Sequence, residues 1–429
     1  MPGPRNSAGG VAVDLAAFGA LRTPAGAAVL AELAAAGPLD DAAALRLGTR
    51  LRRDHPAEFV AAALTQARLR ERAVAKFGPA AARMWFTPAG LEQATHPVVA
   101  AHRAARVAAA LGPGATVFDL CCGIGTDSLA LRAAGLVVTA VDADPLTAAV
   151  AAANLTLDSP TGDDISSAGV VVGDVREVDL GDAAVFVDPA RRAARGRVFD
   201  PDAYAPPWSF VRELLRRPAT VAKVAPGIPH DLPEPEVAIE WVSLRGEVKE
   251  AALYSPGLVA GPADGARRRA TLLPGGHTLS AVGPDSADEP PPVGDPGRFL
   301  YEPDGAVIRA HLVGAVAAAV DGRLLDPTIA YVTADALVPT PFATAYEVTD
   351  VLPFSVPRLR AVLRERGVGV VVVKKRGVDV LPEQLRRDLL KGSRGSAAAT
   401  VVVTRHGKGR IALLVRPVSP PPPDPAPAA

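Results

Sequence analysis

The sequence predicts an α/β chain. A doubly wound, Rossmann-like parallel sheet is preceded by a helical N-terminal domain and followed by a small basic α+β domain. Three observations predict it. Residues 11 to about 110 are rich in Ala, Leu and Arg at helical spacing. From Thr116 onward short valine-rich strands alternate with helices, the pattern of a parallel sheet with crossover connections. After a stretch rich in Pro and Gly, two strand-rich pieces flank one helix, with Lys and Arg concentrated among them.

In chain order, residues 1–100 read as a helical domain, as in "AAALTQARLRERAVAKFG", broken by Gly-Pro and Thr-Pro steps. Residues 101–275 carry TVFDL, TDSLALRAA, LVVTAVD, DPLTAAVAAANL, GVVVGD and AAVFVDP, then the strands ATVAKVAP, VAIEWVSL, EAALYSP and RATLLPGG, the last closing the sheet. Between Asp174 and Ala183 there is no room for a full crossover helix, so that connection is a turn or a stub. "HTLSAVGPDSADEPPPVGDPG" lacks periodicity, so residues 276–330 read as a linker and connecting segment. The last domain, 331–416, contains "VGVVVVKKRGVDV", "LPEQLRRDLLKG" and "ATVVVTRHGKGRIALLVRP", and the proline-rich tail 417–429 reads as disordered or polyproline-like.

The bulk numbers exclude several classes. Of 429 residues 49% are hydrophobic and 21% charged, with a net charge of zero, which is unlike a uniformly basic nucleic-acid coat. No apolar run reaches the roughly 18 residues that cross a bilayer, so no membrane helix is expected. Asp14 interrupts the apolar N-terminal stretch and no cleavage site follows, which argues against secretion. The two cysteines, Cys121 and Cys122, are adjacent and cannot staple distant segments, and no Cys/His spacing suggests a metal site. A cytoplasmic protein without a metal is expected, its oligomeric state unspecified.

The chemistry concentrates in "VFDLCCGIGTDSLALRAAG", residues 117–135. In a doubly wound sheet ligands bind beyond the carboxyl ends of the strands, where a glycine turn lets backbone approach the ligand. Gly123 and Gly125 occupy that turn, and Ser128 stands where a dinucleotide site would require a third glycine, so NAD is disfavoured. Asp119, four residues before Gly123, places a carboxylate where a cationic group is more welcome than a pyrophosphate. Carboxylates recur after the following strands at Asp142, Asp174 and Asp188. Asp142 lies 17 residues beyond Gly125, close to the spacing at which an acid accepts two ribose hydroxyls.

D-x-x-x-G-x-G at 119–125, "AVDAD" at 140–144, "GD" at 173–174 and "DPAR" at 188–191 together resemble the ordered motifs of the class I S-adenosylmethionine-dependent methyltransferases. The resemblance covers about residues 100–275 and implies S-adenosylmethionine as cofactor. It implies that Gly123 and Gly125 lie against the methionine arm, that Asp142 takes the ribose hydroxyls, and that Asp174 takes the adenine amino group; Asp119 and Cys121 count with them as cofactor-binding, Cys121 and Cys122 reading otherwise as small turn residues. Adjacent cysteines inside the cofactor loop disfavour a covalent cysteine mechanism. Family members that methylate base nitrogens usually carry a second proline and then an aromatic at "DPAR"; here Ala190 and Arg191 stand instead. Asp188, Pro189 and Arg191 are the catalytic candidates. Asp188 would accept a proton or hydrogen bond from the nucleophile, and Arg191, Arg192 and Arg195 would clamp phosphate or form a solvated loop. Tyr204 and Trp208 read either as stacking rings or as packing, and Met84, Trp85 and Phe86, in an aromatic-Thr-Pro element similar to that of cap-trimethylguanosine-synthase-like RNA methyltransferases, either line the cofactor mouth or sit in a core.

Between Arg358 and Arg410 there are 14 Lys or Arg against 4 Asp or Glu, a local excess of ten positive charges and a footprint for a polyanion. "AYEVTDVLPFSVPRLRAVLRERGVG", "VVKKRGVDV" and "TVVVTRHGKGRIALLV" resemble the THUMP-like domain that follows methyltransferase domains in bacterial proteins. THUMP domains proper bind RNA. RNA contact through Lys374, Lys375 and Arg376, and methylation of ribosomal or transfer RNA at a base or ribose, is what the resemblance and the charge imply; the three residues read otherwise as an exposed strand end. A small-molecule methyltransferase and a non-catalytic cofactor- or RNA-binding protein stay open.

Overall fold

The computed structural model describes residues 14–157, 169–191, 204–259, 266–282 and 291–418. The first part is helical: α1 (Leu15–Leu21), α2 (Pro24–Ala35), α3 (Asp41–Leu51), α4 (Ala57–Phe77), α5 (Pro88–Gln93) and α6 (Pro97–Leu111). The side chains of Asp14, Thr23, Asp40 and Thr87 accept backbone amides at the starts of α1, α2, α3 and α5, and proline occupies the first turns of α2, α5 and α6. The apolar faces of α1 to α4 bury Leu21, Leu33, Leu51, Phe59 and Val60 in one core.

The sheet strands then follow, interleaved with helices. They are β1 (Thr116–Leu120), α7 (Thr126–Ala133), β2 (Val137–Asp142), α8 (Pro145–Leu155), β3 (Val170–Val172), β4 (Ala184–Val187), β5 (Ala190–Arg191), β6 (Tyr204–Ala205), α9 (Trp208–Leu215), β7 (Thr220–Val224), β8 (Ala238–Leu244), β9 (Glu247–Tyr254), β10 (Ala266–Leu273) and β11 (His277–Val282). The strand order is β11-β10-β8-β9-β7-β4-β1-β2-β3, and β7, β4, β1, β2 and β3 run parallel. This places the ends of β1, β2 and β4, which carry Asp119, Asp142 and Asp188, side by side. Residues 174–183 form turns, as their length predicts. β5 and β6 pair with each other as a separate two-stranded ribbon.

Beyond residue 290 come β12 (Phe299–Pro303), α10 (Gly305–Arg309), α11 (Val313–Ala319), β13 (Arg323–Asp326), β14 (Ile329–Ala334), β15 (Ala343–Pro353), α12 (Val356–Glu365), β16 (Val368–Arg376), α13 (Pro382–Leu390), β17 (Ala397–His406) and β18 (Gly409–Pro417). Seven strands form one sheet in the order β13-β14-β12-β15-β18-β17-β16. α12 and α13 bury Leu359, Leu363, Leu385 and Leu389 with Val371, Val401, Val403 and Leu414 of the sheet.

Two expectations are corrected. Residues 276–330 are not a linker: β11 extends the larger sheet as an antiparallel edge, and β12, α10, α11 and β13 begin the last sheet. Their apolar runs are too short for periodicity to show, and the core they join is supplied by residues far along the chain. The boundary expected at 275 also moves. The compact units are Met1–Val237 with Ala252–Ala260, and Ala238–Ala251 with Gly261–Ala429. β8 and β10 pair in parallel, and the Ser243 hydroxyl donates to Asp304, the N-cap of α10, at 3.0 Å. No helix among the described residues is long and apolar enough to cross a membrane.

Candidate active site

β1 ends in a turn whose backbone has unusual geometry. Cys121, Gly123 and Gly125 have φ of 62°, 57° and 81°, in the left-handed region that glycine adopts most easily. A Cβ on Gly123 would meet nothing within 4 Å, so its backbone faces open space; on Gly125 it would lie 3.3 Å from the Ala151 Cβ. The first glycine thus leaves its backbone uncovered, and the second lets α8 pack close. Burial pushes both cysteine thiols up, so neither is a ready nucleophile.

Asp142 organises this turn. Its Oδ2 accepts the Gly123 amide and its Oδ1 the Asp144 amide, both at 3.0 Å, while burial holds its carboxyl above the ordinary range. Asp119 is fully buried. Its Oδ2 accepts the Ser128 hydroxyl, but its buried Oδ1 has no hydrogen-bond partner, and burial raises its carboxyl well above the usual value. A buried carboxylate oxygen left unpaired is costly, and a cationic ligand group is the partner that would complete it. The ammonium of a methionine arm fits that description. Ser128, the residue that broke the dinucleotide pattern, anchors Asp119.

Asp174 lies elsewhere in its bonding: Arg176 grips both its oxygens, with a shortest contact of 2.5 Å, and holds its carboxyl down to about 2. An adenine amino group reaching Asp174 would share it with that guanidinium.

Asp188 follows β4, where its amide donates to the Leu120 carbonyl at 3.1 Å, beside the end of β1. Its Oδ2 accepts Lys223 Nζ at 2.5 Å. Lys223 also donates to Thr95 Oγ1 at 3.0 Å, and the Thr95 hydroxyl donates to Asp127 Oδ2 at 2.7 Å. Arg103 closes the chain on Asp127 Oδ1 and lies over the Phe186 ring. Burial pushes Asp188 up against the opposing pull of Lys223. For Asp127, burial is outweighed by Arg103, Lys223 and Thr95, so its carboxyl is held down. Pro189 is buried. Arg191 contributes its backbone to β5, and Arg192 and Arg195 lie outside the described residues.

Thr95, Arg103, Asp127 and Lys223 went unread in the sequence. One signal existed: Lys223 is a lone cation in the apolar strand "ATVAKVAP". The aromatic candidates resolve as packing. Trp85 meets Phe18 edge-on and carries the Arg70 guanidinium, Met84 and Phe86 are in the core, Tyr204 is buried with its hydroxyl oxygen accepting the Ala225 amide, and Trp208 starts α9 with its ring buried.

The basic triplet is divided. Successive strand residues face opposite ways, so Lys374 and Arg376 share one face of β16 and Lys375 the other. Lys374 donates to Glu302 at 2.6 Å, Arg376 stands 3.7 Å from the same carboxylate, and the two lie over Tyr346 and Tyr331. Only Lys375 of the three is exposed. Other cations of the stretch are also engaged: Arg360 and Arg364 donate to the Asp388 and Lys391 carbonyls at the end of α13, Arg366 pairs with Asp350, and Arg405 with Asp326. The answering acids Glu302, Asp326 and Asp350 come from outside residues 358–410, where a local charge count cannot see them.

Residues 343–417 match the THUMP domain-like family, and residues 14–73 match a domain family of unknown function (DUF8688). An uncharacterized S-adenosylmethionine-dependent methyltransferase of Mycobacterium tuberculosis, recorded in strains CDC 1551 and H37Rv, is 38% identical over 332 residues, which are 76% of this chain and 86% of that protein. A crystal structure from Porphyromonas gingivalis W83, assigned as a methyltransferase, superposes with a TM-score of 0.68 at 22% identity, covering 89% of this chain and all of its own. The glycine turn, the ordered carboxylates and this kinship agree: the chain belongs to the S-adenosylmethionine-dependent methyltransferases and carries a C-terminal THUMP-like domain.

Proposed function

We propose that this methyltransferase acts on RNA, at a base or ribose of a ribosomal or transfer RNA in the cytoplasm. The basic THUMP-like module carries the proposal. Residues 291–418 hold 18 Lys or Arg against 12 Asp or Glu, a net of +6 that remains after every internal pair is counted. Arg358, Lys375, Lys391, Arg394 and Lys408 are exposed and suited to phosphate.

At the active site, S-adenosylmethionine supplies an electrophilic methyl group. Asp119 would face its ammonium, Gly123 its methionine arm, Asp142 its ribose and Asp174 its adenine. Asp188, beside the end of β1, would accept the acceptor's N–H or O–H proton as the new N–C or O–C bond forms and the S–C bond breaks, leaving a neutral thioether; the proton then passes to solvent. Catalysis is mostly positioning. A small-molecule acceptor is the second reading, favoured by the number of module cations committed to internal pairs.

The test supplies purified protein with radiolabelled S-adenosylmethionine and, separately, total RNA, protein extract and small metabolites from cells lacking the gene, with Asp188→Ala as control. Label entering RNA only with the intact protein is the expected result. Label confined to metabolites would establish the second reading, and cofactor binding with no labelled pool would make the protein a binding protein.

A further inference from the structure

We infer that Lys223 is a positioning residue of the acceptor site, whose ammonium, held between Thr95 and Asp188, fixes one carboxylate oxygen of Asp188 and leaves the other for the nucleophile. The inference rests on the methyl-transfer reading of Asp188 above.

Its location carries it. Lys223 is the one charged residue of β7, whose other four residues are buried. A partly buried ion pair is rarely a gain in stability over apolar packing of the same volume, so stability alone does not account for it. The pair is not sealed either: the side chains of Lys223 and Asp188 are 16% and 30% exposed, at the carboxyl ends of β7 and β4. Ligands of parallel sheets bind at that edge.

Lys223 is also held from behind. Lys76 donates to the Leu91 and Ala94 carbonyls at 2.9 and 2.6 Å, fixing the end of α5, and α6 begins at Pro97. Thr95 sits between these anchored elements with its hydroxyl on buried Asp127, which Arg103 secures. The ammonium is therefore presented to Asp188 by a chain of fixed groups rather than by a free surface side chain. Lys223 takes Oδ2, so Oδ1 is the oxygen that meets the acceptor.

The charged and titratable groups around Asp188 are Lys223 on β7, Asp127 on α7, Arg103 on α6, Asp119 on β1 and Cys121 in the glycine turn. Burial and Asp127 favour a protonated Asp188, and Lys223, at closest range, and Arg103 oppose them. A protonated Asp188 cannot take the nucleophile's proton. A cation at this point also disfavours a positively charged acceptor, which narrows the substrate to a neutral N–H or O–H group.

The experiment follows the Asp188 carboxyl by carbon NMR of aspartate-labelled full-length protein, its resonance identified by loss in Asp188→Asn. In parallel it records the pH profile of methyl transfer into total RNA. In Lys223→Met the Asp188 midpoint should rise by about 1–3 pH units, and the acid limb of the rate profile should rise with it. Lys223→Arg, which keeps the charge, should hold both near wild type. Should Lys223→Met fail to fold, Lys223→Gln carries the same comparison. A midpoint unchanged by either neutral substitution overturns the inference, as does an acid limb displaced equally by Lys223→Arg. If the wild-type protein labels metabolites and no RNA, the RNA reading fails by itself and the acid limb is read on that pool; if it labels no pool, the positioning role of Lys223 falls with the methyl-transfer reading.

Discussion

Asp119 and Asp142 lie near the ends of adjacent strands yet stand in opposite conditions. Asp142 has both oxygens satisfied by backbone amides, whereas Asp119 keeps a buried oxygen without a partner. A cationic ammonium arriving at Asp119 favours its ionised form, so binding of S-adenosylmethionine should release a proton. Affinity should then rise with pH between the lower midpoint of the bound state and the raised midpoint of the free state. Calorimetric titrations in buffers of different ionisation enthalpy measure the proton count, and zero exchange would remove the ammonium from Asp119. Without ligand, folding favours the protonated carboxyl, so its stabilising contribution is present at low pH and lost as pH rises through the raised midpoint. Asp142→Ala should weaken cofactor binding by roughly 10- to 100-fold, the loss of one or two charge-assisted hydrogen bonds. Unchanged affinity would contradict the assignment of the cofactor site.

Helix α8 and the aromatic-Thr-Pro segment are joined by one side chain. Asn154, 1% exposed, accepts the Trp85 amide at 2.8 Å and donates to the Trp85 and Ile124 carbonyls at 3.0 and 2.9 Å. Ile124 lies inside the glycine turn, and a Cβ on Gly90 of α5 would come within 2.3 Å of its Cγ2. The helical segment therefore buttresses the glycine turn. Asn154→Ala leaves buried backbone groups unpaired and should cost about 2–4 kcal/mol. Thermal denaturation reads that loss, and cofactor affinity should fall with it because the loop loses its support. A stable variant with normal affinity would show that α8 and the turn are fixed by packing alone.

Over the whole molecule, net charge zero conceals an uneven distribution. The module's cations divide into those answered by acids or helix-end carbonyls and those facing solvent, and only the second group can release counterions from RNA. Alanine substitution of Arg358, Lys391 or Lys408 should lower the salt dependence of RNA binding by about one unit of slope each. Lys374→Ala should instead lower thermal stability, since Glu302 then loses its nearest cation. Filter binding at graded salt checks the first expectation. Equal slope changes at Lys374 and Lys408 would mean that the Glu302 cluster opens to take phosphate.

The glycine turn, the four recurring carboxylates and the alternation of strand and helix were legible in the sequence, because each depends on local spacing: a turn needs its glycines in place, and a parallel strand needs its run of valines. The second charged layer was not. Lys223 reaches Asp188 from 35 positions away and Thr95 reaches Lys223 from 128, so only the pairing of β4 with β7 and the packing of the helical segment bring them together. The same holds for the basic module, where the sequence by itself determined how many cations there are. Which of them are free to meet a phosphate was decided by the tertiary structure, because the neutralising carboxylates arrive on strands from elsewhere in the chain and Coulomb attraction acts on distance in space, not along the sequence.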